Sequence, residues 1–411
     1  MQWRGAMLDV SRHFFDRSFV ERMLDSLAIF DYNVLQLHLT DDQGWRIEVK
    51  RYPLLHQIGS KRSRSQVNHS LLEPEFDGIE HSGYFTRDDL THIVNYASRL
   101  GIEIIPEVNV PGHTGALLAA YSEYAVNREA REVTQTWGIS NNVLTPLPQT
   151  LSFLREVFRE VAEIFPSKFI HVGGDEARIE NWLRDPRVVS FMETEGYTDL
   201  KELFSFFMHE VEKIVNSFGK TMITWDDAFA INPELATNAV VMSWRGSKIA
   251  RKAIEQGKKV IESPVIPLYF DYSYEVDPKE PLAIGGPIST ADVLNFTPQS
   301  ESFGVQFQLW TEYISNPQHA EYMLWPRAAA LAFANWSDET DFATYYRPRL
   351  ERLRNLGVLT RDDAIEKQLD RASLGIGQFH KGYSIESLAS ALESSAQAGE
   401  IALSFGEGSP S

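Results

Sequence analysis

The chain has 411 residues, enough for two or three average domains or for one large α/β barrel. Acidic residues outnumber basic ones by 57 to 39, and the net charge of −18 disfavours nucleic acid and anionic membranes as partners. The chain lacks cysteine, which excludes disulfides, thiolate metal sites and cysteine nucleophiles. A hydrophobic fraction of 43% can form a large core, and no apolar run reaches the length of a transmembrane helix.

The first thirty residues contain no basic start followed by an apolar stretch, which is the pattern of a secretory signal. We therefore expect a cytoplasmic protein, with a secreted protein as the alternative. The sequence leaves the oligomeric state open.

Short apolar runs recur along the chain, each of a length typical of one strand. Continuous apolar strands are typical of a parallel sheet that is covered on both faces. Eight such runs are present, at residues 5–11, 34–40, 103–109, 169–176, 221–227, 239–245, 259–264 and 304–311.

Helical patterns lie between these runs. The segment 86–100 opens with Thr86 followed by Asp89, a capping-box start. The other predicted helices cover residues 18–30, 149–165, 200–218, 247–256 and 319–335. Eight strands that alternate with helices predict a TIM (β/α)8 barrel, and an open doubly wound sheet is the structural alternative.

Two long connections, 53–83 and 269–303, interrupt this rhythm and are expected to form functional rims. After Gly357 the composition changes to Ser, Ala and Glu. We therefore assign residues 1–357 to the catalytic barrel and 358–411 to a helical C-terminal extension. Within the extension we expect helices at 360–373 and 384–399 and a disordered end.

Polar and aromatic residues gather where the apolar runs end, and the carboxyl ends of barrel strands form the active site of this fold. Trp225, Trp244 and Trp310 end three of the runs, and acidic or histidine residues follow most of them. Any one of these residues taken alone needs no functional explanation, because polar side chains commonly emerge where a strand ends. The whole set indicates a pocket, because buried acids are costly unless they are paired.

The segment from Gly173 to Glu176 (GGDE) is the most informative of these ends. Two glycines let a ligand approach the backbone, and the adjacent acids can reach one pocket only where the strand turns. Most retaining glycosidases hold an acid and a nucleophile about 5 Å apart across the scissile bond. Neighbouring acids fit that arrangement poorly. They fit better if one protonates the leaving oxygen while the other orients a nucleophile that the substrate carries, such as a 2-acetamido oxygen.

A metal-dependent barrel hydrolase is an alternative, since histidine and carboxylate ligands at strand ends can bind zinc or manganese. The residues that could serve are His38, Asp41, His113, Asp175 and Glu176. Neither a His-x-His pair nor a helical His-Glu-x-x-His motif is present, and we expect no metal and no other cofactor. The sequence also lacks a P-loop and a Gly-x-Ser-x-Gly elbow.

These residues resemble the motifs of the β-N-acetylhexosaminidases of glycoside hydrolase family 20. The resemblance extends from Trp3 to Gly357. It rests on five motifs in order: RGAMLDVSRH at 4–13, HLTDDQGWR at 38–46, IPEVNVPGHT at 105–114, HVGGDE at 171–176 and QLWTE at 308–312.

The resemblance implies an exo-acting, retaining enzyme that hydrolyses terminal β-linked GlcNAc or GalNAc through an oxazolinium intermediate. Its partner would be a glycan or glycoconjugate with terminal β-N-acetylhexosamine. A related alternative releases a disaccharide, as a lacto-N-biosidase does. A sugar-binding barrel without activity would have lost its acid, whereas Glu176 is present.

The resemblance also implies catalytic roles. Glu176 corresponds to the general acid and then base, and Asp175 to the residue that orients the acetamido N–H and stabilises the oxazolinium. Tyr269 corresponds to the hydroxyl donor to the acetamido oxygen. Asp41 and His113 correspond to a relay behind Glu176.

Substrate-binding residues follow from the same resemblance. The walls around the acetamido methyl and the sugar ring would be Trp225, Trp244 and Trp310. The hydrogen-bonding set for the sugar hydroxyls, which would enforce attack at chain ends, would be Arg4, Asp271 and Glu312.

Two features depart from the family pattern. Members commonly have Asp where this chain has Asn109, which removes a negative charge near His113 and bears on the tuning of the relay. Many members also carry a small α/β domain before the barrel, whereas the first apolar run here begins at residue 5.

Overall fold

Eight parallel strands close into a barrel in the computed structural model, which describes residues 1–129, 131–233, 238–277 and 279–367. Each strand pairs with its neighbours in sequence, and the last pairs with the first, so the predicted TIM barrel is confirmed. The barrel strands are β1 (Trp3–Asp9), β2 (Val34–His38), β3 (Glu103–Val110), β4 (Phe169–Gly173), β5 (Thr221–Trp225), β6 (Val240–Ser243), β7 (Val260–Glu262) and β8 (Gly304–Leu309).

All eight predicted strands are present, and their ends differ by up to three residues from the prediction. The largest difference is in β4, which ends at Gly173 instead of Glu176. Gly173, Gly174 and Glu176 have φ angles of 71°, 91° and 48°, a left-handed conformation that ends the strand at Gly173. The acid pair therefore lies on a turn beyond the strand.

Helices connect the strands and surround the barrel. None of the helices among the described residues has the length and apolar character needed to cross a lipid bilayer. The α-helices are Arg17–Ala28, Leu54–Gln57, Arg87–Arg99, Gly115–Ala120, Pro148–Ile164, Pro186–Glu195, Leu200–Ser217, Asp226–Ile231, Ser247–Glu255, Val265–Leu268, Thr290–Leu294, Pro317–Leu324, Arg327–Trp336, Phe342–Asn355 and Arg361–Glu366.

The predicted capping box is present at Arg87–Arg99. The Thr86 hydroxyl accepts from the amide of Asp89, and the Asp89 carboxylate accepts from the amide of Thr86. The single helix predicted at 319–335 is wrong. The structure has two helices there, Pro317–Leu324 and Arg327–Trp336, because Pro326 has no amide proton and disfavours the helical conformation of the residue before it.

The first helix predicted after Gly357 begins where expected, with Thr360 as the N-cap of Arg361–Glu366. The second predicted helix, at 384–399, and the predicted disordered end lie outside the described residues. The division of the chain at residue 357 therefore stays a prediction.

Alternate residues of each strand face the barrel axis. On β2, Leu35 and Leu37 pack outward with the helices, whereas Gln36 and His38 belong to the polar interior. The interior combines an apolar layer around Met7 and Ile105 with buried polar side chains. These are Gln36, His38, Glu107, His171, Gln306 and Gln308, where most TIM barrels have branched aliphatic residues.

Arg46 holds the long connection 53–83 against the barrel. Its guanidinium is fully buried and donates, at 2.7 to 3.0 Å, to the carbonyl oxygens of Val10, Ser11, Ser60 and Gly83. One side chain therefore satisfies backbone acceptors from three segments of the chain.

We predict that Arg46→Met lowers the free energy of unfolding by at least ~3 kcal/mol, because several backbone acceptors lose their donor and each costs ~1–3 kcal/mol. Urea unfolding followed by circular dichroism measures the change. Arg159→Met is the matched control, since Arg159 forms only surface ion pairs with Glu156 and Glu163 and should leave the unfolding curve almost unchanged. Equal effects of the two substitutions would contradict the role of Arg46 in holding the connection 53–83.

Candidate active site

A pocket of about 720 Å³, counting its open mouth, lies at the carboxyl ends of the strands. All the predicted site residues except Arg4 line it. The lining residues are Arg12, Asp41, His113, Asp175, Glu176, Trp225, Trp244, Val265, Tyr269, Asp271, Tyr272, Ile284, Trp310 and Glu312.

The glycine turn after β4 places the acid pair. A Cβ atom on Gly173 would lie 1.8 Å from Oδ1 of Asn109, and one on Gly174 would lie 2.6 Å from Oγ1 of Thr224. Only glycine fits both positions, because the φ angles are positive and the space is already filled. The turn directs Asp175 and Glu176 into the same pocket.

His113 lies at the centre of the acidic residues. Its Nε2 is 3.4 Å from Oε2 of Glu176 and 3.6 Å from Oδ2 of Asp175. On the other side of the ring, Nδ1 is 3.2 Å from Oδ1 of Asp41 and 3.5 Å from Oδ2 of Asp42. Of the two predicted relay residues, His113 therefore contacts both acids of the pair, and Asp41 lies behind it.

This arrangement makes His113 a cation. Burial opposes its charged form, but the Asp41 and Asp175 carboxylates raise the pKa of His113 well above its usual value. Burial also opposes ionisation of Asp41, yet Arg12, whose Nη2 is 3.0 Å from Oδ2, and His113 hold the pKa of Asp41 well below its usual range. A buried positive charge thus faces the acid pair.

Asp175 is balanced between opposing influences. Burial raises its pKa to about 6, Glu176 adds to the increase, and His113 opposes it. Asn109 donates from Nδ2 to Oδ1 of Asp175 at 2.9 Å, which favours the charged form. The departure at Asn109 therefore acts directly on Asp175, and not through His113 as expected. At neutral pH Asp175 is mostly ionised.

Three tryptophans wall the pocket, as predicted. Trp225 donates from Nε1 to Oε1 of Glu107 at 3.0 Å, and Trp244 donates to Oδ2 of Asp227 at 2.8 Å. The ring of Trp310 lies 6.0 Å from the ring of Trp225. A buried acid, Glu107, and a half-buried one, Asp227, thus orient two of the walls.

Tyr269 and Asp271 reach the pocket from the connection 269–303. Burial raises the pKa of each, with Asp271 contributing for Tyr269 and Glu312 contributing for Asp271. Oδ1 of Asp271 is buried and has no hydrogen-bond partner within the described ranges. Arg327 donates to the carbonyl oxygens of Phe270 and of the residue after Asp271, which holds the segment in place.

The prediction for Arg4 is wrong. Arg4 is the second residue of β1, about 17 Å of strand before its carboxyl end, and it donates to the backbone carbonyls of Met1 and Asp31. Arg12 takes the place expected for Arg4. It contacts Asp9, Asp41 and Glu312 at 3.0 to 3.6 Å, and its guanidinium lies 5.0 Å from the Trp310 ring.

Sequence reasoning also gave no site role to Glu107, which anchors Trp225, or to Asp227, which anchors Trp244. The period-two pattern of β3 carries a signal for Glu107, since Ile105, Glu107 and Asn109 share one face. An acid on the interior face of a barrel strand, directly below the site, indicates a functional residue.

The acidic groups around His113 are close enough together to be compared with a metal site. Two sets of three residues bring ligand-type atoms within 4.8 Å, and His113 belongs to both. Because the neighbouring carboxylates raise the pKa of His113, a metal would have to displace a proton from its ring before it could bind there. This chemistry disfavours the metal-dependent alternative.

A pair of acids in a tryptophan-walled pocket, at the carboxyl end of a (β/α)8 barrel, defines the class of glycoside hydrolases. The model of the glycosyl hydrolase family 20 catalytic domain matches residues 1–339, and the chain belongs to this family.

Relatives agree with this assignment. The chain is 36% identical over 346 residues to a β-hexosaminidase of Vibrio furnissii, a match that covers 80% of this chain and 56% of that protein. It is 31% identical over 349 residues to the β subunit of human β-hexosaminidase, covering 82% of this chain and 57% of that protein. The chain thus spans a little over half the length of these relatives.

Solved structures are also similar. The exo-β-N-acetylglucosaminidase of Vibrio harveyi, solved in complex with N-acetylglucosamine, matches with a TM-score of 0.76 and 31% identity. That match covers 88% of this chain and 59% of the other. The N-acetyl-β-hexosaminidase of Streptomyces plicatus, solved with thio-NAglucal, matches with a TM-score of 0.71 and 30% identity, covering 87% and 69%.

The raised pKa of Asp175 predicts a stability cost. The carboxyl is ionised above about 3.8 in the unfolded chain but only above about 6 in the folded one, so the unfolded state binds fewer protons between these values. The folded state therefore loses stability as pH rises through this window, by ~3 kcal/mol.

We predict that the free energy of unfolding of Asp175→Asn, relative to that of the wild type, increases by ~2 kcal/mol between about pH 4 and about pH 7.5. Urea unfolding at both pH values measures the difference. Asp338→Asn, on an exposed loop, is the control and should show a flat difference. A flat difference for Asp175→Asn as well would refute the raised pKa.

Proposed function

We propose that the protein is an exo-acting β-N-acetylhexosaminidase that hydrolyses terminal β-linked GlcNAc or GalNAc with retention. The substrate's own acetamido oxygen is the nucleophile, and the intermediate is an oxazolinium ion. Family membership and the relatives' activities support the reaction class, and the pocket geometry supports the mechanism.

One observation carries this mechanism: both acids lie against the same nitrogen of His113, so they share one wall of the pocket. Their nearest oxygens are within 4.8 Å of each other. An enzyme nucleophile must attack the anomeric carbon from the face opposite the acid, and an inverting pair stands about 6.5–9.5 Å apart. The separation of the two acids is too short for an inverting pair, and their position on one wall does not fit an acid and a nucleophile on opposite faces of the anomeric carbon. A nucleophile on the substrate resolves the difficulty.

In the first step, Glu176 gives its proton to the glycosidic oxygen while the acetamido oxygen bonds to the anomeric carbon and the leaving alcohol departs. Asp175, as a carboxylate, accepts from the acetamido N–H and stabilises the positive charge of the ring that forms. The hydroxyl of Tyr269 donates to the acetamido oxygen. In the second step, Glu176 removes a proton from water, which opens the oxazolinium from the face that the leaving group left.

We attribute the chain-end selectivity to a polar set of pocket residues. Arg12, Asp271 and Glu312 supply donors and acceptors for the hydroxyls of a terminal sugar, and the unpartnered buried oxygen of Asp271 is ready to accept one. A buried acceptor without a donor is costly, so a sugar hydroxyl there contributes to affinity.

The test compares nitrophenyl β-glycosides with and without the 2-acetamido group. We expect turnover of the GlcNAc or GalNAc glycoside and none of the glucoside, and inhibition by a thiazoline that mimics the cyclised sugar. Glu176→Gln should lose about 10²–10⁴-fold in kcat and keep thiazoline binding, because it removes only the proton donor.

Product analysis provides the controls. Retention at the anomeric carbon is expected, as is release of single sugars from a chitin oligosaccharide; release of disaccharides would indicate the lacto-N-biosidase-like alternative. Inversion, efficient cleavage of a glucoside, or a trapped sugar ester on an enzyme side chain would overturn the mechanism.

The pKa of Asp175 sets the acidic limit of activity. Because Asp175 must be ionised, kcat/KM should fall about tenfold per pH unit below about pH 6. Asn109→Leu removes the donor that favours the charged form, so the acidic limb should move to higher pH. The measurement is the pH dependence of kcat/KM on nitrophenyl β-GlcNAc.

Asn181→Leu is the matched control, since Asn181 is also buried after β4 but donates to the backbone carbonyl of Asn141. It should leave the acidic limb where it is. An unmoved limb in Asn109→Leu would show that Asn109 does not tune Asp175.

A further inference from the structure

Glu107 is a buried carboxylate in the middle of the barrel, with no exposed surface. Its Oε2 accepts from Nε2 of Gln36 at 2.7 Å and lies 2.6 Å from Nδ1 of His38. Its Oε1 accepts from Nε1 of Trp225 at 3.0 Å and lies 3.1 Å from Nδ1 of His171. Side chains from β2, β4 and β5 therefore meet at this one acid on β3.

Two of these contacts lead directly to the pocket. Trp225 is a pocket wall, and its indole orientation is set by the bond to Glu107. His38 continues upward, with Nε2 2.8 Å from Oδ2 of Asp41, and Asp41 in turn contacts His113. One wall of the pocket and the charged residues of the site thus have a common support.

The Glu107 carboxylate sets the orientation of the side-chain amides below it. A carboxylate only accepts, so Gln36 must present its amino group to Glu107 and turn its oxygen away. That oxygen accepts from Nε2 of Gln306 at 2.8 Å, and Oε1 of Gln306 accepts from the indole of Trp3 at 3.0 Å. The donors of Trp3, Gln306 and Gln36 thus form a chain of hydrogen bonds that ends at the carboxylate.

Charges along the row from Glu107 to the acid pair alternate in sign. Burial opposes the charged form of His38, but Glu107 raises its pKa to about 10, with Asp41 adding to the effect. Beyond it stand Asp41 as an anion, flanked by Arg12, and then His113 as a cation. Without the charge of Glu107, His38 would have a negative neighbour on only one side, at Asp41.

We propose that Glu107 is a positioning residue for the hydrolase: through its contacts with Trp225 and His38 it holds both the pocket wall and the Asp41–His113 relay in their working geometry. The inference rests on the proposed function and adds to it a residue that contacts no substrate. Glu107 lies below the pocket and is absent from its lining.

The test is Glu107→Gln, because an amide keeps the shape but presents one acceptor and one donor group. The new amino group must face either the pair Gln36 and His38 or the indole of Trp225. Each of these groups presents a donor in the wild type, so a donor would then face a donor. We expect kcat to fall about 30–100-fold, and KM and the thiazoline inhibition constant to rise about tenfold, since a displacement of about 1 Å costs this much at a reacting centre.

Glu160→Gln is the matched control. Glu160 is also buried and accepts two hydrogen bonds, from the amides of Lys50 and Arg51, on a helix outside the barrel. A merely structural role lowers the thermal midpoint and the amount of active protein without changing KM or the inhibition constant. Glu160→Gln should behave in that way, and the same behaviour of Glu107→Gln would overturn the inference.

Gln36→Met keeps the test decisive if Glu107→Gln does not fold. It removes one donor to Glu107, and Gln36 does not line the pocket. We expect KM and the thiazoline inhibition constant to rise, but by less than in Glu107→Gln. Unchanged constants in this variant would count against the inference. A wild-type chain that is inactive on every β-N-acetylhexosaminide would instead refute the proposed function.

Discussion

The site depends on one buried cation. His113 has carboxylates on both sides of its ring, Asp41 behind it and the acid pair in front, and neither side is stable alone in a dry pocket. Because the Asp41 side is itself neutralised by Arg12 and His38, the positive charge of His113 remains available to Asp175 and Glu176. The ionisation of Asp175 at neutral pH, and with it the proposed stabilisation of the oxazolinium, follows from this arrangement.

The polar interior of the barrel is the second constraint. Branched aliphatic residues would pack more simply there, and the row of amides and acids is tolerated only because its members satisfy one another. Glu107 is the acceptor on which Gln36 and His38 converge, and the row also orients Trp225. Stability and the geometry of the site are therefore coupled, because a change that disturbs the interior amides also disturbs the pocket.

Local backbone conformation is part of the same design. Glu176 has a φ angle of 48°, unfavourable for a residue with a side chain, at the point where it must lie beside Asp175. The raised pKa of Asp175 is likewise a cost to the folded state. Both costs fall on the two residues to which the chemistry is assigned, as expected where function opposes stability.

The sequence alone determined the eight strands, the barrel and the acid pair, because period-two and period-3.6 patterns and the Gly-Gly-Asp-Glu segment are local signals. It also contained a signal for the arginine in the pocket that the motif resemblance obscured: Arg4 precedes the first apolar run and Arg12 follows it, at the end of the strand where the site forms. The contact of Asn109 with Asp175 joins residues 66 positions apart. The convergence on Glu107 likewise appears only when the barrel closes, since closure sets which inward side chains meet.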